Sequence, residues 1–337
     1  MAASLRVLRR RIRSTKNIAQ ITKAMEMVAA SRISKAQTRV KASRPYSDEF
    51  THVLTTAARA GASDHPLLTA REEPKRVALL VVTSDRGLCG GYNSNVLREA
   101  ERILRSLRKD GREPVLFVIG GKGTAYFRFR NQEMAGQWTG FSEVPDYPNA
   151  AQAADVLTAA FLTGGEDTVG QADAGSGDST GAEGEAAPSS RRQTFATPEA
   201  AQGVPGVDEV QIVFTRFDSI ASQTATALQI APLVLDEESE DSEQSSEGDG
   251  QQALYDFEPE PEQLFDSLMP RYVRARVFAA LLDAAASESA ARQRAMKAAT
   301  DNANDLVENL TREANQARQA QITQEISEIV GGADALG

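Results

Sequence analysis

Val77-Ala78-Leu79-Leu80-Val81-Val82-Thr83 runs directly into Ser84-Asp85-Arg86-Gly87-Leu88-Cys89-Gly90-Gly91-Tyr92-Asn93. The first stretch is a continuous apolar run, the pattern of a strand buried on both faces in a parallel sheet. The second is a polar, glycine-rich loop, as expected where such a strand leaves the sheet. Asn95 to Arg108 then reads as a helix, with Val96, Ile103, Leu104 and Leu107 partly on one face. Asp110-Gly111 turns the chain, and Val115-Leu116-Phe117-Val118-Ile119 is a second buried strand closed by Gly120-Gly121-Lys122-Gly123. Residues 149–162 read as a helix, Val210-Gln211-Ile212-Val213-Phe214 as a strand, and Leu228 to Leu235 as a further strand. This β-α-β order predicts an open, mostly parallel, Rossmann-like sheet with right-handed crossovers.

Outward from this centre, both ends become helical. The first proline is Pro45 and the first glycine Gly61, so the N-terminal stretch lacks the main helix breakers. Leu5, Leu8 and Ile12 are spaced by 3 and 4; Ile18, Ile21, Met25 and Val28 are spaced by 3, 4 and 3. That is coiled-coil spacing with a phase slip between the two groups. A helix is expected to resume across Pro45 to about Ala60. From Arg271 to Val330 there is again neither glycine nor proline, and 60 helical residues would span about 90 Å at 1.5 Å each. Ala299, Ala303, Leu306 and Leu310 form one stripe and Ile322, Ile326 and Ile329 another, with Gly331-Gly332 as the expected stop. A helix of that length needs a partner, and the N-terminal helix is the available one. The fold class is therefore α/β: a long antiparallel coiled coil of the terminal helices, with a central sheet domain. The expected division is 1–60, 75–250 and 260–337.

The chain has 337 residues and a net charge of −10, distributed unevenly. Residues 1–50 hold twelve Lys/Arg and three Asp/Glu, the first acid being Glu26. Residues 164–206 hold seven acids and two arginines, and residues 236–249 hold eight acids and no base. The stretches 164–206 and 236–252 lack hydrophobic periodicity and read as surface insertions outside the core. A concentrated basic face meets an acidic partner or stays solvated. The single cysteine, Cys89, excludes a disulfide framework and fits a reducing compartment. No apolar run is long enough to cross a membrane, so no direct membrane insertion is expected. The Arg-rich start continues into a helical pattern past residue 40 without a cleavage-like region, unlike a transit peptide.

Candidate chemistry is sparse. Gly120-Gly121-Lys122-Gly123-Thr124 follows a strand, but the spacing departs from a phosphate-binding loop, and Gly87 to Gly91 is not a dinucleotide fingerprint. Both read better as tight strand exits. Asp85 beside Arg86 reads as loop bracing rather than as a catalytic pair. Cys89 reads as a small buried thiol and Trp138 as packing. No metal-ligand constellation, cofactor site or catalytic set is identifiable, and the negative overall charge without interleaved aromatics argues against nucleic acid.

Four segments carry a specific resemblance. Ile21-Thr22-Lys23-Ala24-Met25-Glu26-Met27-Val28-Ala29-Ala30-Ser31, the run from Thr83 to Asn93, Ser287-Glu288-Ser289-Ala290-Ala291-Arg292 with Met296-Lys297-Ala298-Ala299-Thr300-Asp301-Asn302-Ala303, and Ile322-Thr323-Gln324-Glu325-Ile326-Ser327-Glu328-Ile329-Val330-Gly331-Gly332-Ala333 resemble the F-type ATP synthase gamma subunit family. They occur in order, and outside the two acidic insertions the resemblance spans nearly the whole chain.

The resemblance implies a rotor shaft with no catalytic residues of its own. It implies a coiled coil turning inside three alpha and three beta subunits. It also implies a foot against the epsilon subunit and the c ring, on the cytoplasmic face of a bacterial membrane. Proton-driven rotation would then force the beta sites through different conformations. By matching, Met25, Arg9, Arg10, Arg318, Gln319 and Thr323 fall at contacts with beta and alpha, and Tyr255, Phe257 and Glu258 at the c-ring and epsilon foot. The insertion at 164–206 holds no cysteine, so a thiol switch of the kind found in chloroplast members is unavailable there. A nucleotide-dependent enzyme on the sheet domain and an unrelated coiled-coil scaffold are the competing classes.

Overall fold

The computed structural model describes residues 2–59, 67–69, 71, 73–164, 167–169, 199–233 and 261–334. They fall into two compact units, Met1–Ser34 with Leu88–Gly90 and Ser289–Gly337, and Lys35–Gly87 with Gly91–Glu288.

The larger unit is built on five strands: β1 (Arg76–Val82), β2 (Glu113–Ile119), β3 (Gly136–Trp138), β4 (Glu209–Phe217) and β5 (Gln223–Ala231). Their order is β3-β2-β1-β4-β5, parallel except for the antiparallel β4–β5 pair. β1 sits at the centre, and every residue from Val77 to Val82 is buried, as the apolar run demands. Helix α2 (Tyr92–Lys109) covers one face. There Val96, Ala100, Ile103, Leu104 and Leu107 pack on Val77, Leu79, Val81 and Val213, with Phe127 of α3 (Gly121–Phe129) beside them. The opposite face carries Ala78, Leu80 and Val82 against α4 (Tyr147–Thr163) and residues 269–284 of α5 (Pro261–Asp334). Crossover helices on both faces bury both faces of the central strand. At the N-terminal edge of β1, the buried Asp208 carboxylate accepts from the backbone N–H of Lys75 (2.7 Å) and Arg76 (2.9 Å) and pairs with Arg71.

Several elements differ from the sequence reading. The last strand begins at Gln223 rather than Leu228 and ends at Ala231. The glycines after β2 start α3 rather than a plain turn. Helix α1 (Ala2–Arg59) continues through Pro45 without interruption, and α5 continues past Gly331-Gly332 to Asp334. The ends of the 164–206 stretch belong to the core. Thr168 bridges Pro205, a short 3-10 turn covers Glu199–Ala201, and Val169, Ala201 and Val204 are buried with the α4 side chains. Residues 170–198 and 236–252 lie outside the described residues.

In the smaller unit, residues up to Ser34 of α1 lie antiparallel to the end of α5. Thr22 Oγ1 meets Thr300 Oγ1 at 2.7 Å, and Leu5 to Arg13 share a groove with Gln321. On α1 the shielded positions include Leu5, Leu8, Ile12, Thr15, Ala19, Thr22, Glu26, Ala29 and Ile33, spaced alternately by 3 and 4, with Met25, Ala30 and Arg32 half-buried beside them. On α5 they include Met296, Thr300, Ala303, Val307, Leu310, Ala314, Ala317 and Gln321, spaced alternately by 4 and 3, with Ala299 half-buried beside them. These are uninterrupted heptad seams of the kind that holds a two-stranded coil. The expected phase slip is absent. Ile18, Ile21 and Val28, expected in the seam, stand 51%, 60% and 53% exposed, as do Leu306, Ile322, Ile326 and Ile329 on α5 at 48%, 44%, 55% and 72%.

Candidate functional site

Two places in the fold bear on function: the outer surface of the coiled pair and the loops leaving the sheet. The coil's seam mixes large and small side chains: Ile33, Met296 and Leu310 are 3%, 4% and 5% exposed, Ala29 is 2% exposed, and Ala19, Thr15, Thr300 and Ala303 are all below a tenth. Small side chains there let the helix axes approach closely. The Thr22 hydroxyl lies within hydrogen-bond reach of the Ile18 and Ala19 carbonyls, and the Thr300 hydroxyl of the Met296 carbonyl. The Thr22 and Thr300 hydroxyls are thereby satisfied. With small residues at Thr15, Ala19, Thr22 and Ala29 of the α1 seam, the larger apolar side chains of that stretch are left on the outside. Ile18, Ile21 and Val28 follow one another at helical spacing and form an apolar stripe turned away from the partner helix.

The residues singled out from the sequence fall as follows. Met25 is half-buried on α1, next to Glu26, which receives the Lys23 ammonium at 3.1 Å. Arg9 and Arg10 are exposed and line the groove shared with Gln321. Arg318 and Gln319 are exposed one turn before that point on α5, and Thr323 Oγ1 donates to the Gln319 carbonyl at 3.0 Å. The α5 residue that lines the groove with Arg9 and Arg10 is Gln321; Arg318, Gln319 and Thr323 are not among its lining residues. Met25 is fifteen residues further along α1 than Arg10, about 22 Å of helix axis. Tyr255, Phe257 and Glu258 lie outside the described residues. The sequence reading missed the outward stripe of Ile18, Ile21 and Val28, because on α1 it admitted only large apolar residues to the seam, although on α5 it admitted Ala299 and Ala303. Allowing Thr15, Ala19 and Thr22 as seam positions recovers the continuous heptad.

The strand-exit loops close on one another. Asp85, after β1, accepts from the Gly121 N–H through Oδ1 (3.0 Å) and from the Ser142 N–H through Oδ2 (2.9 Å), while its own N–H donates to Ser142 Oγ (2.8 Å). The first turn of α3, where a phosphate would sit in a nucleotide-binding loop, is thus occupied by a carboxylate from the same chain. Gly120 has a φ of 102° and a Cβ there would collide with the Thr83 carbonyl, which explains the glycine without any ligand. Asn93 and Ser84 are joined by side-chain hydrogen bonds that brace the β1 exit from the other side. Cys89 is 2% exposed. Among the described residues no group of His, Cys, Asp or Glu is placed to hold a metal ion. No helix among them is long and apolar enough to cross a membrane.

A heptad-seamed helix pair with apolar residues on its outside, joined in one chain to a mostly parallel sheet unit, defines an α/β protein with a long two-helix coil. Comparison with known proteins gives the family. The ATP synthase family model matches residues 4–336. The ATP synthase gamma chain of Mycolicibacterium vanbaalenii is 55% identical over 336 residues, covering 100% of this chain and 99% of the relative. That of Saccharopolyspora erythraea is 52% identical over 334 residues, covering 99% and 98%. The fold is similar to a chain of the Euglena gracilis mitochondrial ATP synthase, at TM-score 0.62 and 17% identity, covering 100% of this chain and 95% of that one. It is also similar to one from the central stalk and c-ring structure of the Tetrahymena thermophila enzyme, at TM-score 0.52 and 21% identity, covering 83% and 99%. The chain belongs to the ATP synthase gamma family. It is a non-catalytic subunit and serves as the rotor shaft of the central stalk.

Proposed function

We propose that the coiled pair turns inside a ring of three alpha and three beta subunits, and that a foot region meets epsilon and the c ring on the cytoplasmic face of a bacterial membrane. Proton-driven rotation of the c ring then drives the beta sites through successive conformations. The observation that carries this reading is the outward apolar stripe of Ile18, Ile21 and Val28 beside a complete seam. Contiguous apolar surface on a helix pair already held together marks contact with something else. Apolar contact is non-directional, so a surface of this kind suits a sleeve that must be passed rather than gripped.

Met25, Arg9, Arg10, Arg318, Gln319 and Thr323 are the contacts assigned to beta and alpha, and Tyr255, Phe257 and Glu258 those assigned to the foot. The arginines offer forked donors for carboxylates on the beta side. The test is co-expression of this chain with the alpha and beta subunits of its own organism. A complex holding one copy of this chain, whose multi-site ATPase is lost when the chain is omitted, is the expected result. An assembled, active alpha–beta complex that excludes the chain would overturn it.

A further inference from the structure

Helix α2 buries Val96, Ala100, Ile103, Leu104 and Leu107 and turns its opposite face outward. That outer face carries Arg98, Arg102, Arg105 and Lys109, at i, i+4, i+7 and i+11, all exposed. Among the described residues only Arg102 of these four has a carboxylate partner, Glu99 at 2.5 Å. Arg98 turns to the Asn95 amide oxygen and Arg105 to the Glu101 carbonyl, while the Glu101 carboxylate is taken by Arg130 and by the Tyr126 hydroxyl. Four like charges along about 16.5 Å of helix repel one another, and a chain of carboxylates relieves their field better than separate monovalent ions. This protein holds such a sequence itself: residues 236–249 carry eight acids and no base.

We propose that the outer face of α2 is a docking surface for residues 236–249 of this same chain, which thereby keep the basic row from other polyanions. Connectivity supports this occupant. β5 ends at Ala231, which pairs with Val210, and the neighbouring Glu209 carboxylate receives Arg112, three residues beyond α2. The end of β5 and the end of α2 therefore lie at one edge of the sheet. Asp236 follows Leu233, the last described residue after β5, by three positions. Residues 236–249 reach up to about 46 Å when extended, well beyond the length of the row. A segment tethered so close meets the face at an effective concentration on the order of millimolar, so contacts that are weak singly between exposed charges act together. An anionic partner from solution has no such tether. The proposal goes beyond the rotor reading and stands independently of it, since α2 holds none of the residues assigned to alpha, beta or the foot.

The test is pulsed electron–electron resonance on the full-length chain, with spin labels at Ser106→Cys, within the basic row, and Ser242→Cys, within the acidic segment. Cys89, 2% exposed, is shielded from the label. A short, narrow distance population is expected at low ionic strength, and its loss at about 1 M salt. Arg98→Gln/Arg105→Gln/Lys109→Gln should abolish it. Lys35→Gln/Arg39→Gln/Lys41→Gln, which removes as much charge from exposed positions of α1, should leave it in place. Deleting 236–249 should make the chain sediment with phosphatidylglycerol vesicles that leave the wild-type chain in solution, and the three α2 substitutions should abolish that gain. Far-UV circular dichroism checks that each variant keeps its helices. A broad distance distribution that none of these changes alters, or vesicle binding by the deletion chain that survives the α2 substitutions, would overturn the proposal. So would a short distance between singly labelled chains after mixing, which would make a second copy the occupant. Each of these results would leave the assembly experiment untouched.

Discussion

Asp85→Ala separates a structural from a catalytic role for the residue that most resembles an active-site acid. The substitution removes both acceptors of the clamp that joins β1 to the start of α3 and to the loop at Ser142. Gly120, at the N-cap of α3, provides no side-chain cap, so Asp85 supplies the negative group at that helix start. A hydrogen bond to an ionised group contributes about 1.5–3 kcal/mol, and because Asp85 is half-buried the lower figure applies to each, giving about 3 kcal/mol for the pair. Asp85→Asn keeps one acceptor and turns a donor toward the second N–H, so it should lose about half as much. Ser142→Ala removes the third bond and should cost about 1 kcal/mol. Urea unfolding followed by circular dichroism reads these values from shifted midpoints at constant slope. The Asp85→Asn chain should still support the ATPase of the assembled complex. Asp85→Ala within about 0.5 kcal/mol of wild type, a difference typical of surface substitutions, would refute the clamp. Loss of ATPase in a stably folded Asp85→Asn complex would refute the structural assignment.

Four further outcomes follow from the same geometry. Ile33→Asn, at a seam position 3% exposed, should cost about 3 kcal/mol by burying an unpaired amide, whereas Ile21→Asn, 60% exposed, should stay within about 0.5 kcal/mol in the isolated chain and impair rotation only after assembly; denaturant midpoints and coupled proton pumping read the two. Gly120→Ala forces a side chain at φ 102° onto the Thr83 carbonyl and should destabilise by about 3 kcal/mol or more by the same unfolding assay. Burial raises the Tyr272 phenol above its ordinary 10.0, with Arg276 opposing weakly, so the folded chain keeps its proton where the unfolded chain has released it. Stability should therefore fall as pH rises above about 10, and Tyr272→Phe should show a smaller fall between pH 9.5 and 11 in urea midpoints. Met25→Lys should uncouple ATP hydrolysis from proton transport in inverted vesicles while leaving assembly intact, because at the contact proposed for Met25 an added cation would hold carboxylates on the beta side; normal coupling would contradict that contact.

The sheet was legible because its signal is composition over a short run. Val77 to Val82 has no polar residue to turn outward, so only a doubly covered position satisfies it, and β1 is central. The start of β5 was not legible. Gln223-Thr224-Ala225-Thr226-Ala227 alternates only threonine with alanine, too small an apolar contrast to mark a strand, and its strand conformation comes from pairing with β4. The core role of Val169, Ala201 and Val204 was hidden by the acidic, glycine-rich chain between them; three apolar residues separated by polar sequence give no period. The coil misled in the opposite direction. Ile18, Ile21, Met25 and Val28 are the stronger apolar stripe, and in a free two-stranded coil the stronger stripe would fill the seam. The Asp85 clamp was partly legible. A bracing role followed from the lack of any histidine or second acid nearby, but the partners are backbone N–H groups, which side-chain identity does not announce.

The inversion of the coil ties its stability to its task. A seam of Ile and Leu would bury more apolar area, about 1.5–3 kcal/mol for each large side chain fully covered. Here Thr15, Ala19, Thr22, Ala29, Thr300 and Ala303 give up part of that gain, and Ile18, Ile21 and Val28 are left for an outer surface. Close approach of the axes recovers dispersion contacts along the whole seam, and the hydroxyl pair of Thr22 and Thr300 fixes register where methyl groups could slide. The outer surface has the opposite requirement. Hydrogen bonds weaken steeply with angle, so a ring of them around a turning shaft would impose preferred stops, while apolar contact changes little as one side chain replaces another. A register-setting bond inside, with the Ile18, Ile21 and Val28 stripe non-directional outside, lets this stretch of the coil stay locked internally while its apolar face passes what surrounds it. Exchanging the two surfaces, by placing Ile at Thr22 and Thr300 and Thr at Ile18 and Ile21, should accordingly yield a shaft that folds at least as well and turns worse.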